Sequence, residues 1–170
     1  VEKDTFLAES LRELIGEKVK IFNEDILKFD ENLLSNNKII VFGNLPYNIS
    51  TEILSSWITN LKNDYWFSDL VLMFQKEVAD RIIAPFNTPT YGRLSILANW
   101  RLNINKICDI LPESFSPRPK IQSSLIHFTP KKKFAEIKNP SNLEKITRIF
   151  FSHRRKMLKK PFNQIFNGNT

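Results

Sequence analysis

The sequence predicts an α/β fold in which a hairpin closes one edge of the sheet, and three observations support this. Two short runs of continuous apolar residues, 39–42 and 70–74, have the length and composition of buried strands. Segments with helical spacing of apolar residues alternate with such runs, as in a parallel sheet covered by helices. Later in the chain, two strand-like segments flank a proline-rich stretch without a helix between them, which favours an antiparallel pair.

The individual elements follow from apolar spacing and from the residues that start or stop them. Gly16 is suited to end the first helix, Ser50 or Thr51 to cap the second, and Pro85 stops the third. The predicted helices span residues 4–15, 50–59, 76–84 and 93–102, and the predicted strands span residues 19–22, 39–42, 70–74, 105–111 and 121–129.

The last forty residues resemble the beginning of a separate helical region. A charged linker with a proline near each end, residues 129–141, is followed by a helix at 142–151 with one apolar face. The stretch HRRKMLKKPF is predicted to form another helix that breaks near Pro161. We therefore predict two domains, residues 1–130 and residues 131–170.

The net charge of +7 is concentrated near the C-terminal end of the sequence. Residues 131–160 hold 11 Lys and Arg against two Glu, whereas residues 1–130 hold 14 Lys and Arg against 16 Asp and Glu. Such a basic excess indicates contact with a polyanion. A solubilising face or a disordered tail explains the charge alone equally well.

Several function classes are disfavoured by composition. The single cysteine, Cys108, lies in a strand-like run and is predicted to be a small buried apolar residue. One cysteine excludes an internal disulfide and suits a reducing compartment. Neither His127 nor His153 has a partner at metal-ligand spacing, so we predict no metal. No apolar run is long enough to cross a membrane.

The loop that follows the strand at 39–42, within FGNLPYNIST, is the strongest functional signal. Ligands of parallel α/β sheets bind beyond the carboxyl ends of the strands. Asn44 offers an uncharged acceptor, Pro46 can direct the carbonyl of Leu45 outward as a second acceptor, and Tyr47 offers a flat face. This set suits the exocyclic amine of an unstacked adenine. Taken alone, the tetrapeptide is equally consistent with a simple turn.

The same stretch resembles the substrate-amine motif of the KsgA-type small-subunit rRNA adenine N6,N6-dimethyltransferases, the rRNA adenine dimethylase family. The resemblance continues in order through QKEVADRI, YGRLS, PESFSPRPKIQSSLI and FSHRRKML, and so covers nearly the whole chain. It implies a Rossmann-like class I methyltransferase sheet, N-terminally truncated, with a late antiparallel hairpin and then the start of a small α-helical rRNA-binding domain. Because the family's Gly-rich cofactor loop is not in the sequence, we expect a fragment and assign the function to the intact protein.

The resemblance also implies roles for individual residues. Glu2 would bind the ribose hydroxyls of S-adenosylmethionine, Asp25 would accept from its adenine amino group, and the backbone of Ile26 would lie beside the ring. Without the resemblance, Glu2 and Asp25 would be taken as exposed carboxylates. The target base would be held by Asn44, which also borders the cofactor, and by Leu45, Pro46, Tyr47 and Phe115. The residues that would contact rRNA phosphates are Arg154, Arg155, Lys156, Lys159 and Lys160.

The implied activity is dimethylation, from S-adenosylmethionine, of adjacent adenosines near the 3′ end of small-subunit rRNA during ribosome biogenesis. The implied partner is small-subunit rRNA or the immature small subunit, and we expect a cytoplasmic monomer with no membrane partner. Two alternatives remain open. One is the antibiotic-resistance dimethyltransferase of large-subunit rRNA, where Ile commonly replaces Leu45; the other is a non-catalytic RNA-binding assembly factor. DNA adenine or protein glutamine methyltransferases more typically have Asn-Pro-Pro-Tyr or Asp-Pro-Pro-Tyr at this loop.

Overall fold

The structure of the protein, a computed structural model, describes residues 1–31, 34, 37–61, 65–152 and 157–166. The chain divides into two units, residues 1–37 and residues 38–170. Helix α1 (Thr5–Ile15) of the first unit is followed by one 3-10 turn, Gly16–Lys18. Helix α1 begins at Asp4, whose side chain accepts a hydrogen bond from the amide of Leu7. It ends at Gly16, where φ is 65°, as the sequence predicts.

The strand predicted at residues 19–22 is not formed. The backbone at Val19 is extended, but the carbonyl of Phe22 accepts a single bond, 2.9 Å long, from the amide of Glu2. An extended segment becomes a strand only when a neighbour supplies a repeating ladder of such bonds. The apolar composition therefore predicted the extended backbone at Val19 correctly but not the pairing.

The second unit contains one sheet built from four strands of the described residues, in the order β1-β2-β4-β3. Strands β1 and β2 are parallel, while β4 is antiparallel to both β2 and β3. This arrangement confirms the predicted α/β sheet with a hairpin at its edge. The elements are β1 (Ile39–Asn44), α2 (Ser50–Asn60), β2 (Phe67–Gln75), α3 (Lys76–Ile83), α4 (Arg93–Arg101), β3 (Leu102–Ile110), β4 (Ser123–Pro130), α5 (Pro140–Ser152) and α6 (Lys159–Phe166).

One face of the sheet forms the core of the second unit. Leu70 and Leu72 of β2 lie opposite Phe128 and Ile126 of β4, and all four side chains are fully buried. The ring of Phe74 lies 6.2 Å from that of Phe128 in an edge-to-face contact. Helices α3 and α4 contact the sheet, and α2 packs against α4. The apolar runs predicted as strands thus fix the hairpin onto the central strand β2.

Cys108, predicted to be buried, is instead exposed. It lies on β3, which is the last strand of the sheet and pairs only with β4 among the described strands. The register of that pairing shifts between Lys106 and Cys108. An edge strand with an irregular ladder turns side chains toward solvent that an inner strand would bury.

The C-terminal helices contain one correction. Helix α5 matches the helix predicted at 142–151 and packs against α2 and α4, with an ion pair of 3.0 Å between Glu144 and Arg93. Pro161 lies in the first turn of α6 instead of breaking a helix. A proline is tolerated there because first-turn amides have no partner inside the helix. The predicted domain boundary at residue 130 stays a prediction.

The segment predicted as a charged linker is attached to the end of α4. The amide of Lys131 donates to the carbonyl of Arg101 over 2.8 Å, and the indole N–H of Trp100 donates to the carbonyl of Ala135 over 2.7 Å. The ring of Phe134 lies 6.2 Å from that of Trp100. Residues 131–135 are therefore held on the sheet-bearing unit by specific bonds. Among the described helices, none has both the length and the apolarity needed to cross a bilayer.

Candidate active site

The Asn-Leu-Pro-Tyr loop follows directly from the end of a parallel strand. Asn44 is the last residue of β1 and is exposed, Leu45 is buried, Pro46 is exposed and Tyr47 is half-buried. No hydrogen bond joins the side-chain amide of Asn44 to another described residue. The polar and aromatic groups of the loop therefore remain accessible, while the side chain of Leu45 fixes the loop to the core.

Gly43 explains why β1 can end in this way. A Cβ atom at Gly43 would lie 2.8 Å from Cδ2 of Leu72 and 3.1 Å from Cδ2 of Leu45. Leu72 is fully buried and cannot move aside freely. A glycine is thus required for the loop to close against β2. No role was predicted for this residue, although a glycine inside a strand often marks such a close approach.

The turn after the loop differs from the predicted capping. The residue before α2 is Ile49, which makes no side-chain capping bond, so neither Ser50 nor Thr51 caps the helix. Instead the amide of Ile49 donates to the carbonyl of Pro46 over 3.1 Å, and the Ser50 hydroxyl donates to the carbonyl of Tyr47 over 3.1 Å. A serine in the first turn therefore stabilises the Tyr47 backbone rather than the helix amides.

The strand register brings the end of β1, the end of β2 and the start of β4 to one edge of the sheet. Asn44 pairs with Met73 two residues before β2 ends, and Gln75 at the end of β2 lies opposite Ser123 at the start of β4. Ser123 also lies opposite Ile110, where β3 ends. The Tyr47 hydroxyl and the Ser123 hydroxyl form a hydrogen bond of 2.6 Å. The motif loop and the connection between β3 and β4 therefore meet at the carboxyl edge of β1 and β2.

Phe115 lies in that β3–β4 connection. A single 3-10 turn, Pro112–Ser114, precedes it, and the amide of Phe115 donates to the carbonyl of Pro112 over 3.2 Å. Its ring is half-buried, as is that of Tyr47. Within the described residues, neither ring packs against another aromatic ring. The connection that contains Phe115 thus begins and ends at the edge where Tyr47 is bonded, and neither ring is stacked on another ring of the described residues.

A charged network that was not predicted from the sequence lies beside this edge. Asp109 accepts from the ammonium group of Lys106 over 2.8 Å and from the Ser124 hydroxyl over 2.6 Å, and Lys76 lies 3.5 Å away. The Lys106 bond, followed by the Ser124 bond, lowers the pKa of Asp109 to about 2. Two lysines were the available signals: Lys106 lies three residues before Asp109 in the sequence, and Lys76 follows a buried strand and reaches Asp109 through folding.

The predicted cofactor carboxylates lie in the first unit, on two segments that hydrogen bonds join there. The side chain of Asn23 donates to the carbonyls of Glu2 and Lys3, which aligns the two segments. Glu2 Oε1 accepts from the amide of Asp4 over 2.8 Å. Asp25 Oδ2 accepts from Lys3 Nζ over 2.7 Å and Oδ1 from the amide of Leu27 over 3.1 Å, and these bonds lower the pKa of Asp25, with Lys3 the larger cause.

The remaining predicted site residues are placed as follows. Ile26 is half-buried beside Asp25, and Lys159 and Lys160 are exposed in the first turn of α6. Arg154, Arg155 and Lys156 lie outside the described residues. The described residues contain no cluster of three or more His, Cys, Asp and Glu side chains that could hold a metal ion.

The protein-family model of ribosomal RNA adenine dimethylases matches residues 1–170. A ribosomal RNA small subunit methyltransferase A of Pelagibacter ubique is 66% identical over 168 residues, which cover 99% of this chain and 64% of that protein. The curated relatives are matched over 58% to 64% of their own length.

Solved structures show the same architecture. A dimethyladenosine transferase from Plasmodium falciparum superposes with a TM-score of 0.70 at 26% identity, covering 95% of this chain and 57% of that one. A 23S rRNA methyltransferase, ErmE, superposes with a TM-score of 0.68 at 17% identity, covering 96% of this chain and 64% of that one, and so supports the Rossmann-like methyltransferase fold alone. With its whole length matched by the family model, the chain belongs to the ribosomal RNA adenine dimethylase family.

Proposed function

We propose that the intact protein containing this chain dimethylates the N6 amines of adjacent adenosines near the 3′ end of small-subunit rRNA, with S-adenosylmethionine as methyl donor. The observation that carries this proposal is the position of Asn44 and Tyr47 at the carboxyl edge of the sheet, with Tyr47 bonded to the strand that follows the Phe115 connection. The name of the Pelagibacter relative supports the small subunit as the source of the rRNA.

The chemistry assigned to the loop needs two acceptors and two flat surfaces. The Asn44 side-chain oxygen and the Leu45 carbonyl would accept the two hydrogens of the adenine amine, with Pro46 fixing the backbone between them. This grip turns the nitrogen lone pair out of the ring plane, so positioning replaces a strong general base. Tyr47 and Phe115 would stack on the unstacked base.

S-adenosylmethionine would supply an electrophilic methyl group on its sulfonium centre. The residues proposed to hold it are Glu2, Asp25, Ile26 and Asn44, and the acceptor chemistry of the two carboxylates fits ribose hydroxyls and an amino group. The Lys3 side chain, whose ammonium group is bonded to Asp25, is 75% exposed, so this ion pair contributes little and can be displaced. A carboxylate also retains acceptor capacity after one bond to each oxygen.

The basic C-terminal part is proposed to bind rRNA phosphates as the start of a helical rRNA-binding domain at residues 131–170. Lys159 and Lys160 are exposed, as a phosphate contact requires, and Arg154, Arg155 and Lys156 are proposed to bind phosphates as well. Contacts of this kind give affinity that falls with salt and little sequence preference. The proposed partner is the immature small ribosomal subunit, bound by a cytoplasmic monomer.

One assay distinguishes the proposed function from its two alternatives. The large-subunit dimethyltransferase shares the fold, but Leu45 and the small-subunit relatives favour the first proposal. The assay supplies the intact protein and labelled S-adenosylmethionine to unmethylated small subunits and to large-subunit rRNA. We expect dimethyladenosine near the 3′ end of small-subunit rRNA only. Product on large-subunit rRNA alone, or binding without product, would favour the resistance enzyme or the assembly factor, respectively.

A pair of variants tests the division of roles within this proposal. Asn44→Ala should lower the transfer rate by at least about 100-fold while rRNA affinity stays within about twofold, because it removes an acceptor for the reacting amine. Lys159→Ala combined with Lys160→Ala should lower affinity and reduce the salt dependence of binding. Equal losses of binding and transfer in Asn44→Ala would contradict the role of Asn44.

A further inference from the structure

The hydrogen bond between Tyr47 and Ser123 connects a loop to a strand 76 residues away. Its length is 2.6 Å, and the Ser123 side chain is fully buried. The Tyr47 ring is half-buried, so its hydroxyl points inward while part of the ring remains accessible. A bond to the para oxygen fixes one end of a tyrosine side chain, and the Cβ atom fixes the other.

Ser123 is itself held firmly. It lies in the middle of a three-strand register, opposite Gln75 of β2 on one side and Ile110 of β3 on the other. The residue before it, Gln122, accepts a hydrogen bond of 2.9 Å from the amide of Lys76. Tyr47, by contrast, belongs to a loop. The bond therefore restrains a loop side chain by attaching it to the sheet.

We propose that Ser123 is a positioning residue, which holds the axis of the Tyr47 ring in place so that its face meets the target base in the reactive orientation. This inference rests on the proposed function of Tyr47. Ser123 is buried and does not touch the base. Without the bond, the ring can leave its position by rotation about χ1, and small misplacements of a reacting group are costly in rate.

If Ser123 contributed to stability alone, its replacement would change the unfolding midpoint and not kcat. The neighbouring Ser124 provides a matched control. Ser124 is also fully buried, and its hydroxyl makes a bond of the same length, 2.6 Å, but to Asp109. Replacing either serine by alanine removes one buried hydroxyl contact at adjacent positions of β4. Only the loss at Ser123 releases Tyr47.

The experiment measures kcat and KM for methyl transfer to small subunits by the intact protein, with unfolding midpoints for each variant. Ser123→Ala and Tyr47→Phe should each lower kcat about tenfold with KM within about twofold. The double variant should be no slower than either single one, because both remove the same bond. Ser124→Ala should keep kcat while its midpoint falls, and Ser123→Thr should recover part of the rate.

Three results would overturn the inference. These are an unchanged kcat in Tyr47→Phe, additive losses in the double variant, or an equal loss in Ser124→Ala. If Ser123→Ala does not fold, Tyr47→Phe still decides, since it removes one oxygen and keeps the ring. A wild-type protein that transfers no methyl group would instead refute the proposed function, and the inference with it.

Discussion

The two ends of the β3–β4 pair differ in how accessible their side chains are and in how many bonds those side chains make inside the protein. At the end where Ile110 faces Ser123, here the motif end, Asn44 is exposed and Tyr47 is attached by one side-chain bond. At the end where Leu102 faces Pro130, here the anchor end, aromatic rings and a buried arginine surround the start of β3. The residues of the anchor end are Tyr65, Trp100, Arg101 and Phe134.

Arg101 is the centre of the anchor end. It is 6% exposed, and its guanidinium donates to the carbonyl of Leu61 over 2.6 Å. The same group lies 4.4 Å from the ring centre of Trp100 and 4.8 Å from that of Phe134, and the Tyr65 hydroxyl donates to the Arg101 carbonyl over 2.9 Å. Burial lowers the pKa of Arg101, but an arginine stays charged in proteins, so these partners must compensate its lost hydration.

The difference separates stability from activity along one pair of strands. At the anchor end, polar groups are bonded inside the protein, and little remains to contact a ligand. At the motif end, acceptors and ring faces remain accessible, and removal of one of these groups should change the free energy of unfolding little. Substitutions at the anchor end should therefore lower the free energy of unfolding, whereas substitutions of the accessible Asn44 and of Tyr47 at the motif end should lower transfer, as proposed above.

The largest stability effect is expected for Arg101→Ala. It removes a buried cation and leaves the Leu61 carbonyl without this donor, which should lower the free energy of unfolding by about 3 kcal/mol. Urea denaturation measures this loss. Arg118→Ala is the control, because that arginine is 63% exposed and pairs with an exposed Glu113, so about 0.5 kcal/mol or less is expected. Similar losses in the two variants would remove the contrast between the ends.

Trp100→Phe should have a smaller effect at the same end. The ring next to Arg101 is kept, but the indole donor to the Ala135 carbonyl is lost, which should cost about 1 kcal/mol. Denaturation of the variant beside Trp66→Phe provides the comparison, since Trp66 makes ring contacts with Trp57 and Phe67 and no hydrogen bond from its indole is found among the described residues. Unchanged stability in Trp100→Phe would show that residues 131–135 are not held by this bond.

The smallest effect concerns the pH dependence of Asp109 at the motif end. Its pKa is lowered to about 2, below the value of about 3.9 for an unfolded aspartate. The ionised group therefore contributes fully to stability above about pH 4, and the contribution is lost as the pH falls through about 2. Asp109→Asn should have a lower melting temperature than the wild type near neutral pH, and this difference should decrease on acidification. A difference in melting temperature that does not change with pH would argue against the charged network of Asp109.

Most of the fold could be predicted because the composition of short segments identifies its strands. The apolar runs at 39–42 and 70–74 lie inside β1 and β2, and the proline-rich stretch does connect an antiparallel pair. The positions of Asn44 and Tyr47 at a strand end followed from the same logic. The roles of these and the other site residues remain proposals.

Features that depend on distant partners could not be predicted. The Tyr47–Ser123 bond joins residues far apart in sequence, and the need for Gly43 arises only when β1 lies against Leu72. Cys108 is exposed because β3 is at the sheet edge, which strand composition does not reveal. The segment after residue 130 looked like a linker because its lysines are polar, yet Phe134 attaches it to α4.

The attachment of residues 131–135 has a practical consequence for dissecting this protein. A gene cut after codon 130 would leave Trp100 and Arg101 uncovered and would remove the donor amide of Lys131. An expression boundary placed after Ala135 would keep the aromatic cover and three lysines with the part of the chain that contains the sheet. Such a boundary would still remove α5, which packs against α2 and α4, so the stability of the shortened chain should be measured before its binding is compared with that of the longer one.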